Sequence, residues 1–350
     1  MRLAVRPPLK PMLAKAATAV PEQPDDGDPV WLYEPKWDGF RVVVFRDADE
    51  VVLGSRNGKD LARYFPEVVD AVTAELPERI VLDGELVVPR EIDGRTRLDW
   101  EALSERIHPA ASRVRLLAEQ TPAQVVGFDL LAIGDDDLTG EPLSVRRNRL
   151  LDVVGDGPVV HASTATTDTV TAQRWFAEFE GAGLDGVIAK RLAGRYLPDK
   201  REMVKVKHAR TADAVVIGYR MHKSVHGIGS MLLGLYDGEE LKMIGGASAF
   251  TEARRKQLLT ELEPLRVGAD VVAEGEANRW RSGAERSFVP LRPELVVEVA
   301  YDQIEGERLR HAARFVRWRP DRDPRSCTYD QLEVPVRYDF ADVLAGGGAS

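Results

Sequence analysis

Residues 34–41 read Glu-Pro-Lys-Trp-Asp-Gly-Phe-Arg, and Lys36 is the side chain there whose chemistry depends most on its surroundings. A free lysine has a pKa near ~10.4 and is almost wholly protonated at neutral pH. It attacks an electrophile only where burial or neighbouring cations favour the neutral amine. Lys205 and Lys207 in MVKVKHAR are suitable cations, spaced so that both face one side of a strand. Glu85 in VLDGELVV and Asp185 in GLDGVIAK add carboxylates that suit a divalent ion, the usual neutraliser of a transferred phosphate. Taken singly these features are ordinary: K-x-D-G between two strands reads as a hairpin turn and K-V-K as a strand edge. Their joint presence points to chemistry on phosphate.

The elements that must position them are mostly strands. WLYEPKWDGFRVVVFRD reads as two strands with Lys36 to Gly39 at the connection, because FRVVVF is β-branched and aromatic and Asp-Gly favours a turn. RIVLDGELVVP repeats the form, with Asp-Gly between an apolar strand and a second strand carrying Glu85, and QVVGFDLLAI reads as a buried strand. Helical periodicity predicts helices over 63–76, 171–183 and 251–265. Strands flanking helices without regular βαβ alternation predict an α+β fold with mainly antiparallel sheet. From ADAVVIGYR onward, short strands at close intervals with one helix predict a small Greek-key barrel of OB-fold type, one of its strands being VVAEGEANRW at 271–280. The domain boundary falls near 209–212, giving expected domains 1–209 and 210–340 and a disordered tail at 341–350.

The chain has 350 residues, 44% hydrophobic and 30% charged, which suits about two domains with sizeable cores. No run approaches the roughly 18 apolar residues of a membrane helix, and prolines interrupt the N-terminus where a signal peptide is apolar. A single cysteine, Cys327, excludes an internal disulfide and any cysteine-based zinc site. These features predict a cytoplasmic protein. The net charge of −9 argues against a polyanion partner, but residues 185–210 carry eight Lys or Arg against three acids, and RHAARFVRWRPDR at 310–322 is a second basic run. His222 and His226 have the spacing of a metal pair, yet they precede a glycine-rich connection and read better as a loop.

EPKWDGFR, SRNGKD at 55–60, VLDGELVV, VVGFDLL at 125–131, GLDGVIAK, MVKVKHAR and RFVRWRPD at 314–321 follow one another in an order that resembles the motifs of the covalent nucleotidyltransferases. Within them the chain is most similar to the ATP-dependent DNA ligases, and to the compact bacterial type called DNA ligase C. The likeness covers nearly the whole chain. It implies a nucleotidyltransferase (adenylation) domain followed by an OB-fold domain, with Lys36 carrying AMP from ATP. It further implies that Glu34, in the Glu34-Pro35 pair preceding Lys36, contacts the adenine edge. Arg41 and Arg56 would bind the nucleotide sugar and phosphate or the 5′-phosphate of a nick; Glu85 would contact ribose or organise metal; Phe128 would stack on adenine. Lys190, Lys205 and Lys207 would hold the α-phosphate, with Arg201 also in the nucleotide site, while Arg317, Arg319 and Asp321 would orient pyrophosphate. Glu85 and Asp185 are the implied ligands of Mg²⁺ or Mn²⁺.

Two positions depart from the family pattern: Asp185 stands where glutamate is usual before glycine, and Arg322 where lysine is common. The resemblance implies three phosphoryl transfers: Lys36 attacks the α-phosphorus of ATP, a nick 5′-phosphate takes the AMP, and the adjacent 3′-hydroxyl displaces it. In-line departure of pyrophosphate implies a barrel that moves, with hinge residues near 208–214. The implied partner is nicked duplex DNA in repair, bound by a monomer on the bacterial nucleoid, with no protein partner indicated. The alternatives are an mRNA-capping guanylyltransferase and a non-catalytic nucleic-acid-binding protein. SRNG and RFVRWRPD favour the ligases over the first, and competent residue types at every nucleotide position argue against the second.

Overall fold

The computed structural model describes residues 1–92, 94–208, 210–268, 273–274, 287–332 and 338–346. One compact unit comprises residues 1–207 with the C-terminal stretch 338–346, and a second begins at His208.

The first unit opens with β1 (Leu13–Ala17), β2 (Trp31–Pro35), β3 (Phe40–Asp47), β4 (Glu50–Ser55), α1 (Pro66–Glu75), β5 (Arg79–Val87), the hairpin β6 (Pro89–Ile92) and β7 (Arg95–Leu98), α2 (Trp100–Glu105) and α3 (Ala111–Gln120). It continues with β8 (Gln124–Ile133), β9 (Asp136–Asp137), α4 (Leu143–Val153), β10 (Val160–Ala162), α5 (Thr169–Glu178), β11 (Val187–Arg191) and β12 (Arg201–Val206). Two sheets result, one in the order β1-β12-β11-β2 and one in the order β10-β8-β5-β3-β4, with β9 on β8. Among the described residues of this unit, only β1 on β12 and β10 on β8 pair in parallel.

The apolar run of β3 is continuous because both faces of its sheet are covered. Val42 and Val44 point into a core with Phe65, Val68 and Leu150, while Val43 and Phe45 point into another with Met12, Leu131 and Met203. The smaller sheet uses strict alternation. Tyr33, Val187, Ala189 and Val206 bury against Trp175 and Phe179. The register row Glu34–Ile188–Lys205 therefore lies on the opposite face. This alternation sends the charged residues to one side.

Two expectations are corrected. Lys36 to Gly39 is not a hairpin turn, since β2 and β3 belong to different sheets and the segment crosses between them. Asp83-Gly84 is not a turn either: Asp83, Gly84 and Glu85 lie inside the single strand β5. Glycine serves close approach there, because a Cβ on Gly84 would sit 2.7 Å from the Val126 carbonyl oxygen, where the β5–β8 register shifts.

The second unit contains β13 (Arg210–Met221), β14 (Ile228–Asp237), β15 (Glu240–Ser248), α6 (Glu252–Leu262), β16 (Ala273–Glu274), β17 (Ser287–Pro290), β18 (Val296–Tyr301), β19 (Ile304–Glu305), β20 (Arg308–Leu309) and β21 (Ala313–Trp318). β13, β14, β15, β21 and β18 pair in that order, and β18 returns to β13, closing a five-stranded barrel around Val215, Met231, Leu233, Ile244, Val297 and Val299. Among the described residues β15 and β21 are its one parallel pair, and α6 falls between the third and fourth barrel strands, the arrangement of an OB-fold. Most of the strand expected at 271–280 lies outside the described residues; Ala273 and Glu274 form β16.

Residues 341–344, expected in a disordered tail, are helical. They belong to α7 (Phe340–Leu344), whose Phe340 and Val343 are buried in the core of the first unit, and residues 347–350 lie outside the described residues.

Asp83 and Asp129 are register partners in the buried middle of the larger sheet, each neutralised by its own arginine. Arg146, on α4, binds Asp129 through Nε at 2.7 Å and Nη2 at 2.9 Å and is fully buried. Arg146→Ala would leave a buried, unpaired carboxylate, a loss of about 3–5 kcal/mol. The expected result is a fall of roughly 10 °C in the first unit's melting temperature, largely reversed in the double variant Arg146→Met, Asp129→Leu.

Candidate active site

The crossover between the sheets places Lys36. Its N–H donates to the Gly186 carbonyl (2.8 Å) and its carbonyl accepts from the Asp185 N–H (3.1 Å), which pins the backbone to the loop before β11. Gly186 has φ +121°, and a Cβ there would lie 2.0 Å from the Val206 carbonyl oxygen, so only glycine lets the three segments meet. Lys36, Asp185 and Lys207 converge as a result. Lys36 Nζ donates to Asp185 Oδ2 at 2.8 Å, and Lys207 Nζ pairs with the same oxygen. Burial pushes the Asp185 carboxyl up, but the two ammonium groups outweigh it and hold it below its ordinary value. Lys205, the last lysine of β12, is pressed down by burial and then by the charges of Lys207, Lys36 and Arg56. Lys207 lies just past the strand end. Two lysines thus share one carboxylate, with Lys205 nearby and Arg56 acting on it, an arrangement that favours an incoming polyphosphate.

A cleft in the first unit runs from this cluster between the two sheets. Its walls include Glu34, Pro35, Lys36, Trp37, Arg41, Arg56, Glu85, Phe128, Lys190, Arg201 and Lys205. All the first-unit residues singled out in the sequence line it except Asp185, which bonds Lys36, and Lys207, which bonds Asp185. Lys190 is placed differently from expectation. It is buried, with Nζ 2.7 Å from Glu34 Oε2 and 3.2 Å from the Phe128 carbonyl oxygen, at the Glu34 end and not with Lys205. The register explains this: Glu34 faces Ile188, so Lys190 is its diagonal neighbour on the same face. Glu34 Oε1 is buried and accepts no hydrogen bond, and its ion-pair partner Arg147 Nη1, 4.0 Å away, likewise donates none. An orphaned acceptor of this kind is ready for an amino group.

Phe128, 6% exposed, carries the Arg41 guanidinium 4.5 Å above its ring centre and Lys190 Nζ at 4.4 Å. Arg41 is fixed by a fork onto Asp83, Nε to Oδ1 at 2.7 Å and Nη2 to Oδ2 at 2.6 Å. The Tyr196 hydroxyl donates to Asp83 Oδ2 at 2.6 Å and accepts from the Met12 N–H at 3.0 Å. Asp83, Tyr196 and Arg147 were not singled out in the sequence. Asp83 sits within VLDGELVV and Tyr196 within the basic stretch, but only the register and the fold of 191–200 show that they meet. Arg56 and Arg201 are exposed at the cleft, Arg201 Nη1 lying 3.5 Å from the Ala14 carbonyl oxygen.

Glu85, register partner of Arg41, is partly buried, and that burial lifts its carboxyl to about 7 against the attraction of Arg41 and Lys36. Among the described residues no three His, Cys, Asp or Glu side chains cluster as a self-sufficient metal site. Two carboxylates beside a polyphosphate-sized cleft nevertheless fit a hard cation whose other ligands are phosphate oxygens and water.

In the second unit, Arg319 Nη1 binds both carboxylate oxygens of Asp213 (3.0 and 2.9 Å), while Nε and Nη2 bind Asp321. The Arg319 bond holds the Asp321 carboxyl down at about 2. Arg317 pairs with its register partner Glu298 at 2.7 Å and remains exposed. Arg322 Nε lies 3.5 Å from Asp213 Oδ2. Asp213 therefore organises the motif, a role with no signal in the sequence around it.

Comparison with known proteins agrees with this architecture. Residues 11–207 match the ATP dependent DNA ligase domain and residues 224–322 match the ATP dependent DNA ligase C terminal region. The chain is 60% identical over 350 residues to DNA ligase C1 of Mycolicibacterium smegmatis, covering 98% of this chain and 99% of that one. It is 54% identical to DNA ligase C of Mycobacterium tuberculosis over 99% of both. A solved structure from the Lig E DNA ligases shares the fold, with a TM-score of 0.55 at 17% identity over 88% of this chain and 99% of that one.

Glu85 binds its proton more tightly folded than unfolded, so it withdraws stability as pH rises from about 4.5 towards 7 and nothing further above. Relative to the parent, Glu85→Gln should gain in melting temperature across that window and then hold a constant difference. Parallel thermal melts at four pH values between about 5 and 8 check this; a constant difference throughout would contradict it.

Proposed function

The chain belongs to the ATP-dependent DNA ligase family, and we propose that it joins 3′-hydroxyl and 5′-phosphate ends at nicks through AMP carried on Lys36. The observation that carries this reading is the position of Lys36 on a pinned crossover, its ammonium sharing Asp185 with Lys207 and lying among Arg56 and Lys205. ATP brings phosphate oxygens that can take over the lysine contacts. Lys36 Nζ, released from Asp185 and relieved of its proton, attacks the α-phosphorus as pyrophosphate leaves.

Lys205 and Lys207 remain as charge partners for the α-phosphate, while Arg41, fixed by Asp83 and Tyr196, and Arg56 are assigned to the sugar, phosphates or nick 5′-phosphate. Glu34, held by Lys190, takes the adenine amino edge on its free oxygen, with Phe128 beneath the base. Arg317, Arg319 and Asp321 orient the departing pyrophosphate. Glu85 and Asp185 would hold Mg²⁺ or Mn²⁺, which supplies charge neutralisation at the phosphates. The 5′-phosphate then takes AMP from Lys36, and the 3′-hydroxyl displaces it to close the strand. We assign the protein to DNA repair, as a monomer on the bacterial nucleoid.

Two measurements test this. With α-labelled ATP and Mg²⁺ the parent should acquire an acid-labile adduct that nicked DNA discharges, whereas Lys36→Ala should acquire none; an undiminished adduct in that variant would overturn the mechanism. Because the acidic chain must hold DNA through local basic faces, nick affinity should fall by about a thousandfold between 50 and 200 mM salt. Affinity unchanged over that range would count against a phosphate-dominated interface.

A further inference from the structure

The crossover from Lys36 to Gly39 is pinned through the Lys36 backbone, and the bulk that wedges it in place is the indole of Trp37. That ring is 5% exposed and is held from two directions. Nε1–H donates to Ser163 Oγ at 2.8 Å. The ring packs edge-on against Phe340, with centres 6.0 Å apart at 79°.

Phe340 comes from α7, far along the chain and outside both stretches that match the ligase family. The segment is fastened at several points. Asp339 caps α7 through Oδ1 to the Ala341 N–H (2.9 Å) and accepts the Thr96 N–H on Oδ2 (3.0 Å). Tyr338 packs on Phe179 with ring centres 4.9 Å apart, and Val343 is fully buried. A Cβ on Gly346 would lie 3.2 Å from Thr164 Oγ1, so the segment also runs past the neighbour of Ser163, the residue that holds the indole N–H. Phe340 shares one core with Trp37, Phe128, Val187 and Val206, the layer beneath the cleft.

We propose that residues 338–344 are a positioning element for Lys36: Phe340 completes the wall against which Trp37 sets the crossover, and the crossover sets the reach of the lysine amine. This rests on Lys36 being the nucleophile. Lysine has four rotatable side-chain bonds, so only a fixed backbone keeps its amine in line with an α-phosphorus, and small misplacements of a reacting group are costly.

The test separates the two half-reactions in the full-length protein. In Phe340→Ala, single-turnover transfer of label from ATP to the protein should slow by about 10- to 100-fold, while sealing of a pre-adenylated nick, which needs no attack by Lys36, changes by less than about threefold. Phe340→Leu, which refills the space, should recover most of the charging rate. Charging at the parental rate in Phe340→Ala, or a parallel loss of both half-reactions that Phe340→Leu does not reverse, would overturn the proposal. Label on Lys36→Ala would instead overturn the nucleophile assignment, whatever the Phe340 variants do.

Discussion

One carboxylate organises the site. Asp185 takes two ammonium groups, from Lys36 and Lys207, and the two lysines come from opposite ends of the first unit's sequence. Three lysines and an arginine at close quarters repel one another unless an anion sits among them, and among protein groups Asp185 is the anion that bonds two of them. The aspartate side chain makes these pairs directly. It keeps the lysines gathered without ligand while leaving their charge available to a phosphate. Gly186 is the steric condition for this arrangement, because any Cβ there would strike the strand that delivers Lys207.

The smaller sheet supplies the charge pattern through register alone. Cross-strand partners share a face, so placing Glu34 opposite Ile188 and Ile188 opposite Lys205 makes a polar face from three strands, while Tyr33, Val187 and Val206 fill the other. A slip of one residue would exchange the two faces, driving Glu34 and Lys205 into the apolar layer in place of Tyr33 and Val206. The larger sheet meets the opposite problem, carboxylates inside a doubly covered sheet, by giving each an arginine: Arg41 for Asp83 and Arg146 for Asp129. Arg41 thereby becomes rigid enough to lie over Phe128.

The second unit repeats this use of a partly buried carboxylate. Asp213, on the first barrel strand, fixes Arg319 after the last one, and Arg319 in turn holds Asp321. The motif is therefore a set of ion pairs built across the barrel. Arg317, on the strand itself, keeps an exposed guanidinium.

Local residue pattern set the inventory. Lys36 before Asp-Gly, the paired lysines of MVKVKHAR, the carboxylates Glu85 and Asp185, a strand at FRVVVF, a buried strand at QVVGFDLLAI and a barrel after residue 210 follow from residue types, periods of two and short spacings, which are local properties. Tertiary structure decided the partnerships. Lys190 joined Glu34 because a diagonal register placed it there, Asp83-Gly84 became mid-strand because a neighbouring strand needed close approach, and Lys36 to Gly39 became a crossover because its flanking strands chose different sheets. Tyr196 under Asp83, Asp213 on Arg319 and Phe340 on Trp37 left no trace in local pattern. Each depends on two segments meeting over more than a hundred residues of chain, a contact that single-residue preferences do not specify and only the packed core can fix.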